Sequence, residues 1–333
     1  MLRILHDTKY DFIRYWKQAA ILTIAWIIVG LGFLVARGGV NKSIEFTGGT
    51  LIQLSFKQPP QIDEIRSVVD QAGFPNSEIT KFGSDTEYTV RAQPHGVPTS
   101  ASTDTTSATA KIIEAALTQR YGNNVHFGRS EFVGPRVGQE LQRNAIIAVL
   151  ISFVVTLIYL AVRFEWRFGL AAVIATAHDV LTTLAFMAML RIEVSLTVVA
   201  AILTVIGYSL NDTIIIFDRV RENLRKQRRE SLRDVLNRSI NETLPRSVLT
   251  HATTLAATLA LLFFAGELIR PFAWIMAFGI FTGTFSSIYV AGALLLWIER
   301  KWPRPTGTEG KGTARAVAED RRRSRAESAV ASR

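Results

Sequence analysis

Asp212 falls inside the apolar run 194–217, where a membrane-spanning helix offers no water to solvate a charge. Thr204, Tyr208 and Asp212 recur four residues apart, so on a helix they share one face, with Gly207 and Asn211 beside them. Placing an Asp near the centre of such a helix costs roughly 3 kcal/mol, and a residue kept at that cost marks an ion or substrate path. The chemistry it suggests is proton loading, because burial disfavours the charged form of a carboxyl and lets it take up and release a proton. An arginine nearby would favour the charged form again. Arg246 is the candidate: it heads a second stripe with Thr250, Thr253, Thr254 and Thr258 in the run 247–269. Movement of Arg246 relative to Asp212 would then tie protonation to a helix rearrangement.

Other apolar runs carry similar stripes. His178 and Asp179 align with Thr182 and Thr183, and Ser152, Thr156 and Tyr159 share a face of the run 144–162. Gly279, Gly283, Ser286 and Ser287 form a small-residue face suited to close helix contact. Polar faces cannot lie against lipid, so these stripes are expected to converge. Two plainer alternatives stand beside that expectation: hydroxyls bonding their own helix backbone, and His178–Asp179 serving only as a packed hydrogen-bonded pair. Arg246 could equally snorkel to the membrane interface, and His251 reads as packing. Asp218 lies six residues beyond Asp212, about 9 Å along the axis, and is followed at once by Arg219 and Arg221. It is expected to be ion-paired, with Arg219, in the headgroup region, setting helix depth.

These residues need a membrane bundle to position them. Six runs are long enough to span, at 19–36, 144–162, 168–190, 194–217, 247–269 and 271–298. The first is too long for a signal-peptide core and lacks a small-residue cleavage site, so it is expected to be retained. Segment 219–246 holds nine basic residues against four acidic ones, and the tail 301–333 is strongly basic. With an N-terminal stretch 1–18 carrying Arg3, Lys9, Arg14 and Lys17, the positive-inside rule predicts both termini in the cytoplasm. The net charge of +10 is therefore read through topology and lipid contact rather than nucleic-acid binding, and the tail as disordered. With no cysteine in 333 residues, disulfides, zinc–thiolate sites and a cysteine nucleophile are excluded. No His-Glu-x-x-His pair or Gly-x-Ser-x-Gly elbow suggests an enzyme.

Between the first two runs, 37–140 reads as an extracytoplasmic domain. Stretches 51–56, 87–91 and, more weakly, 125–132 alternate like half-buried strands. Ile62, Ile65, Val68 and Val69 fall at helical spacing, as do Ile112, Ile113, Ala116 and Leu117, while 94–107 is rich in Pro, Ser and Thr and reads as a flexible loop. The order predicts a small α+β domain of ferredoxin-like type.

Several motifs carry a family resemblance: Ile44-Glu45-Phe46-Thr47-Gly48-Gly49-Thr50, Val133-Gly134-Pro135, His178-Asp179, the stretch 207–223, the stretch 237–254 with Arg246, Thr253 and Thr254, and Gly283-Thr284-Phe285-Ser286-Ser287. Together they resemble the SecD–SecF family of the resistance-nodulation-division (RND) superfamily, over nearly the whole chain to about Trp302. The resemblance implies half of a split RND transporter: six spans and a small external domain, working with SecD as a hetero-oligomer in the bacterial inner membrane. It implies use of the proton gradient to complete export of unfolded preproteins through the SecYEG channel after the SecA ATPase has acted, with YajC a further associate. In that family the proton-coupling Asp falls on Asp212 and its arginine on Arg246. Asn211, Tyr208, Thr253, Thr254, Asp179 and His178 would support or relay. No cofactor is implied. The alternative is a half-subunit of an RND exporter of small molecules or lipids, although about a hundred external residues are few to enclose a ligand pocket. His251 departs from the small hydroxyl residue expected at its position.

Overall fold

The structure is a computed structural model and describes residues 8–75, 77–92, 103–226, 230–266 and 268–303. A helical bundle carries a small α+β domain inserted after its first helix. In order, the elements are α1 (Trp16–Ala36), the single turn α2 (Ile44–Thr47), β1 (Gly49–Phe56), α3 (Ile62–Gln71), β2 (Glu78–Lys81) and β3 (Glu87–Ala92). Then follow α4 (Thr103–Tyr121), β4 (Val125–Val133), α5 (Pro135–Arg163), α6 (Trp166–Leu190), α7 (Leu196–Lys226), α8 (Leu232–Phe264) and α9 (Arg270–Phe285). A π-helical turn at Ser286–Ala291 leads into α10 (Gly292–Lys301). Six helical stretches are long and apolar enough to cross a membrane, α9 to α10 counting as one.

The domain has the βαββαβ order of a ferredoxin-like fold. Its four strands form an antiparallel sheet in the order β2-β3-β1-β4, with β1 paired to β3 on one side and to β4 on the other. Alternation along β1 and β3 sends Ile52, Leu54, Phe56, Tyr88, Val90 and Ala92 to one face. Ile65 and Val69 of α3 and Ile113 and Leu117 of α4 cover that face, all with no measurable exposure. Strand β2 is only four residues long and buries Ile79 alone, too short to announce itself by alternation. The stretch 94–107 is not all loop, since α4 begins at Thr103 and its alanines propagate the helix. Residues 93–102 and the tail from 304 lie outside the described residues.

Helices α7 and α8 run well past their apolar runs, so the described part of segment 219–246 is mostly the ends of two helices. Their polar sequence still carries a buried stripe: Val220, Val235, Leu236 and Ile240 pack against Ile13, Phe164 and Phe217. Asn237 and Asn241 of α8 hold the chain just before α1, Asn241 accepting from the Tyr10 N–H at 3.0 Å and Asn237 from the Phe12 N–H at 2.9 Å. Helices α1 and α5 turn broad rows of apolar side chains outward, as lipid-facing helices do.

The bundle interior is layered. Met187, Val198, Val205, Ile206 and Ile275 form an apolar cluster toward the domain. Leu160, Phe168, Phe217, Leu236 and Ile298 form another toward the opposite end. Buried polar residues of α6, α7, α8 and the π-helical turn lie between them. Gly279 makes this layering possible: a side chain there would meet Val205 Cγ2 at 2.3 Å, so only glycine lets α9 lie so close to α7. One turn on, Gly283 opposes Ser209 in the same way.

Candidate functional site

Two carboxylates occupy the polar layer, one on each of two adjacent helices. Asp179 of α6 is 1% exposed and Asp212 of α7 is 2% exposed. Such groups are costly to bury unless they are paired or hydrogen-bonded.

Asp212 accepts a short hydrogen bond at Oδ1 from the Ser247 hydroxyl of α8. Its Oδ2 has no hydrogen-bond partner among the described residues. Ser287 lies close by and acts on the same carboxyl; its hydroxyl is 3.0 Å from Thr213 Oγ1, where either group can donate, and 3.5 Å from the Ser209 carbonyl. Among the described residues Asp212 makes no ion pair, although Arg246 and His251 are both within electrostatic reach. Arg246 is exposed on the face of α8 next to Ser247. Pro245, directly before it, removes one intrahelical hydrogen bond from α8 at this level.

Asp179 is better provided for. It accepts a short hydrogen bond from Ser209 of α7 at Oδ2, and His178 Nδ1 lies 3.0 Å from its Oδ1. Ser286 lies alongside. The π-helical turn begins at Ser286 and Ser287, so two consecutive serines face two carboxylates on neighbouring helices. An inserted π turn changes the facing of successive side chains, and such turns recur at functional sites.

Tyr208 of α7 reaches α8: its Oη lies 2.7 Å from Thr254 Oγ1 and donates to the Thr250 carbonyl at 2.9 Å. His251 is buried, with Nδ1 2.6 Å from the Ser247 carbonyl and its ring edge-on to Tyr208 at 5.2 Å. It is therefore closer to the Asp212 site than a packing residue was expected to be.

Several of the stripe hydroxyls bond their own helices rather than a neighbour. Thr182 and Thr183 bond the Asp179 carbonyl, Thr204 that of Ala200, Thr253 those of Leu249 and Thr250, and Thr258 that of Thr254. Their hydroxyls satisfy their own helices. Tyr159 is exposed, and Ser152 and Thr156 of α5 are only half-buried, so the α5 stripe stays outside the layer. The expected pairing of Asp218 with Arg219 is also corrected. Asp218 binds Arg163 at 2.6 Å and approaches Arg221 at 3.6 Å, while Arg219 binds Glu242 at 2.5 Å and Glu222 at 2.7 Å. Adjacent residues on a helix point in different directions, whereas residues three apart are neighbours.

Ser247, Ser209 and Thr213 complete the layer and were not marked by the stripes. Ser209 and Thr213 recur four apart on the face of α7 next to the Asp212 stripe, and Ser247 adjoins Arg246. Small hydroxyl residues are too common in apolar helices for that signal to stand out.

One side of this site is open. Thr204, Gly207 and Asn211 of α7 and Arg246, Thr250 and Thr253 of α8 are all exposed in the isolated chain. A polar surface at this depth needs protein or water against it.

Comparison with known proteins agrees with this architecture. Residues 113–301 match the family described as "Protein export membrane protein SecD/SecF, C-terminal", and residues 33–60 match the "SecD/SecF GG Motif". The protein translocase subunit SecF of Gemmatimonas aurantiaca is 58% identical over 319 residues, covering 95% of this chain and 94% of that protein. The subunit of that name from Vibrio alginolyticus is 40% identical, covering 94% and 98%. A crystal structure of SecDF from Thermus thermophilus, titled a translocon-associated membrane protein, superposes with a TM-score of 0.79 at 36% identity over 90% of this chain. A SecDF structure in a super-membrane-facing form gives 0.64 at the same identity. This chain spans only 40% of the length of either SecDF chain. With matches over both the bundle and the Gly48-Gly49 motif, the chain belongs to the SecD/SecF family of protein export membrane proteins.

Proposed function

We propose that this chain is the six-helix half of an ion-driven protein translocase, and that Asp212 is the group whose protonation drives it. The observation that carries the proposal is the state of Asp212: a buried carboxylate with one serine donor, an unpartnered second oxygen and no ion pair among the described residues. A group left so under-satisfied calls for a function, and a proton arriving at Asp212 would remove the cost of burying its charge. Arg246 stands on the helix that supplies Ser247, so a shift of α8 would change both the hydrogen bond and the nearby positive charge. Tyr208, Asn211, Thr253 and Thr254 line the α7–α8 face around it, and His178 and Asp179 support the layer from α6.

The open polar face of α7 and α8 is where a second six-helix half of SecD type would pack. With the SecYEG channel beside it, the pair would draw unfolded preprotein across the inner membrane after SecA has acted, with YajC associated. In this reading both termini lie in the cytoplasm and the α+β domain on the opposite side.

Late-stage preprotein export in inverted vesicles, with and without a proton gradient, tests this. Asp212→Asn is expected to abolish the gradient-dependent part and leave ATP-driven initiation intact. Normal gradient-dependent export by that variant, or export that follows a sodium gradient instead, would refute the proton assignment.

A further inference from the structure

At the domain end of the bundle, three chain segments meet without slack. Lys42 pairs in parallel with Val194 of the α6–α7 connection. The Ser43 N–H donates to the Val194 carbonyl at 2.9 Å and the Val194 N–H to the Asn41 carbonyl at 2.7 Å. Glu45 of α2 accepts the Leu196 N–H at 2.6 Å, so a residue of the Gly48-Gly49 motif region caps the first turn of α7. Arg91, at the end of β3, donates to the Lys42 carbonyl at 2.9 Å and to Glu78 at 3.0 Å, and makes a short ion pair with Glu193 of the same connection.

Backbone geometry tightens the joint from the other side. Gly48 has φ +71°, and a side chain there would meet Pro135 Cα at 2.9 Å, so the turn from α2 into β1 lies directly on the start of α5. Gly138 lies under the same turn, with its missing side chain replaced by the Gly48 N–H and the Phe46 carbonyl. The domain is thus seated on α5 by glycines and on α6 and α7 by Arg91, Glu193 and Glu45.

We propose that Arg91, Glu193 and Glu45 are positioning residues that clamp the α+β domain to the outer ends of α6 and α7 as one rigid body. Leu196 and Asp212 are sixteen residues apart on one continuous helix, about 24 Å along its axis. Displacement of α7 at Asp212 then reaches the domain directly, with Glu45 and Arg91 as the points of transfer. The importance of this for export rests on the ion-driven reading above, but the clamp itself does not. Burial raises the Glu193 carboxyl above its ordinary range, Arg91 beside it pulls it back down, and Glu78 and Glu45 push it up. Reversing either charge leaves like charges facing each other in a partly buried site.

The absence of cysteine makes the clamp directly testable. The pair Lys42→Cys/Val194→Cys in the full chain, assembled with its membrane partners, gives this chain its only two thiols, at residues already paired across the joint. Disulfide yield in membranes reports docking independently of export. Yield is expected to be near complete in the parent chain. It should fall about tenfold with Arg91→Glu or Glu193→Arg and recover in part in the double reversal Arg91→Glu/Glu193→Arg, which restores the 91–193 pair but leaves an acidic side chain facing Glu78. Gradient-dependent export should fall and recover with it, while the oxidised, locked chain exports within about twofold of the reduced one. Unchanged yield in both single reversals would show that Arg91 and Glu193 do not hold the joint. Loss of export on locking, restored by reductant, would show that the joint opens in each cycle and overturn the rigid clamp. If Asp212→Asn exports normally while the yields behave as expected, the ion-driven reading fails and the clamp stands.

Discussion

The core of the α+β domain and the centre of the bundle are built on opposite principles. In the domain the interior is almost wholly apolar, drawn from alternate positions of β1 and β3 and from single faces of α3 and α4. In the bundle the middle layer buries Asp179, Asp212, His251 and a set of hydroxyls between two apolar clusters. The domain interior has one favoured arrangement, because every buried side chain gains from apolar contact. In the polar layer the buried groups are charged or hydroxylic, Asp212 keeps one oxygen unpartnered among the described residues, and α7 and α9 meet closely at Gly279 and Gly283. The domain is held by apolar contact, whereas the layer depends on hydrogen bonds to two carboxylates.

The largest test of this contrast lies in the domain. Leu54→Ala empties a fully buried position and should cost about 2 to 5 kcal/mol of domain stability, read as lost protease protection of residues 37–140 in the full chain. Helix packing around Asp212 should be unaffected; if it loosens equally, the two regions are not independent. Ser247→Ala comes next, removing the hydrogen bond to Asp212, a kind of bond worth about 1.5 to 3 kcal/mol when one partner is charged. Gradient-dependent export should fall about tenfold and its pH profile should move, whereas Ser247→Thr, which keeps the hydroxyl, should retain both. An unmoved profile in the alanine variant would reduce Ser247 to packing. Smallest is Asp218→Asn on the same helix as Asp212. Its ion pair with Arg163 is partly exposed, with side chains 37% and 44% accessible, and is worth about 0 to 1 kcal/mol. Thermal stability and export should both stay near normal. A defect like that of Asp212→Asn would erase the distinction between the two acidic residues.

The contrast also explains what could be read from the chain itself. Strands β1 and β3 and helices α3 and α4 were legible because burial imposes a period on local sequence, as Leu54, Val90, Ile65 and Leu117 show. Strand β2 was not delimited, since four residues with one buried side chain carry no period. At the polar layer, Asp212 stood out because its cost in an apolar helix is a property of the residue alone. Its partner Ser247 did not, because what matters there is a contact between residues 35 apart in sequence. Asp218 shows the same limit: a neighbour in sequence, Arg219, was an obvious partner, and the fold supplied Arg163 from another helix instead. His251, set beside Tyr208 and Ser247, joined the site for reasons that only packing reveals.

Proton uptake by Asp212 itself is the most direct measurement of the central claim. Infrared difference spectra of the chain, assembled with its six-helix partner and stepped through pH, should contain a protonated carboxyl band. A component of that band should be lost in Asp212→Asn and kept in Asp218→Asn, Asp179 being the other buried carboxyl of the layer. A band unchanged in Asp212→Asn, or none in the parent protein at any pH that supports export, would contradict the account.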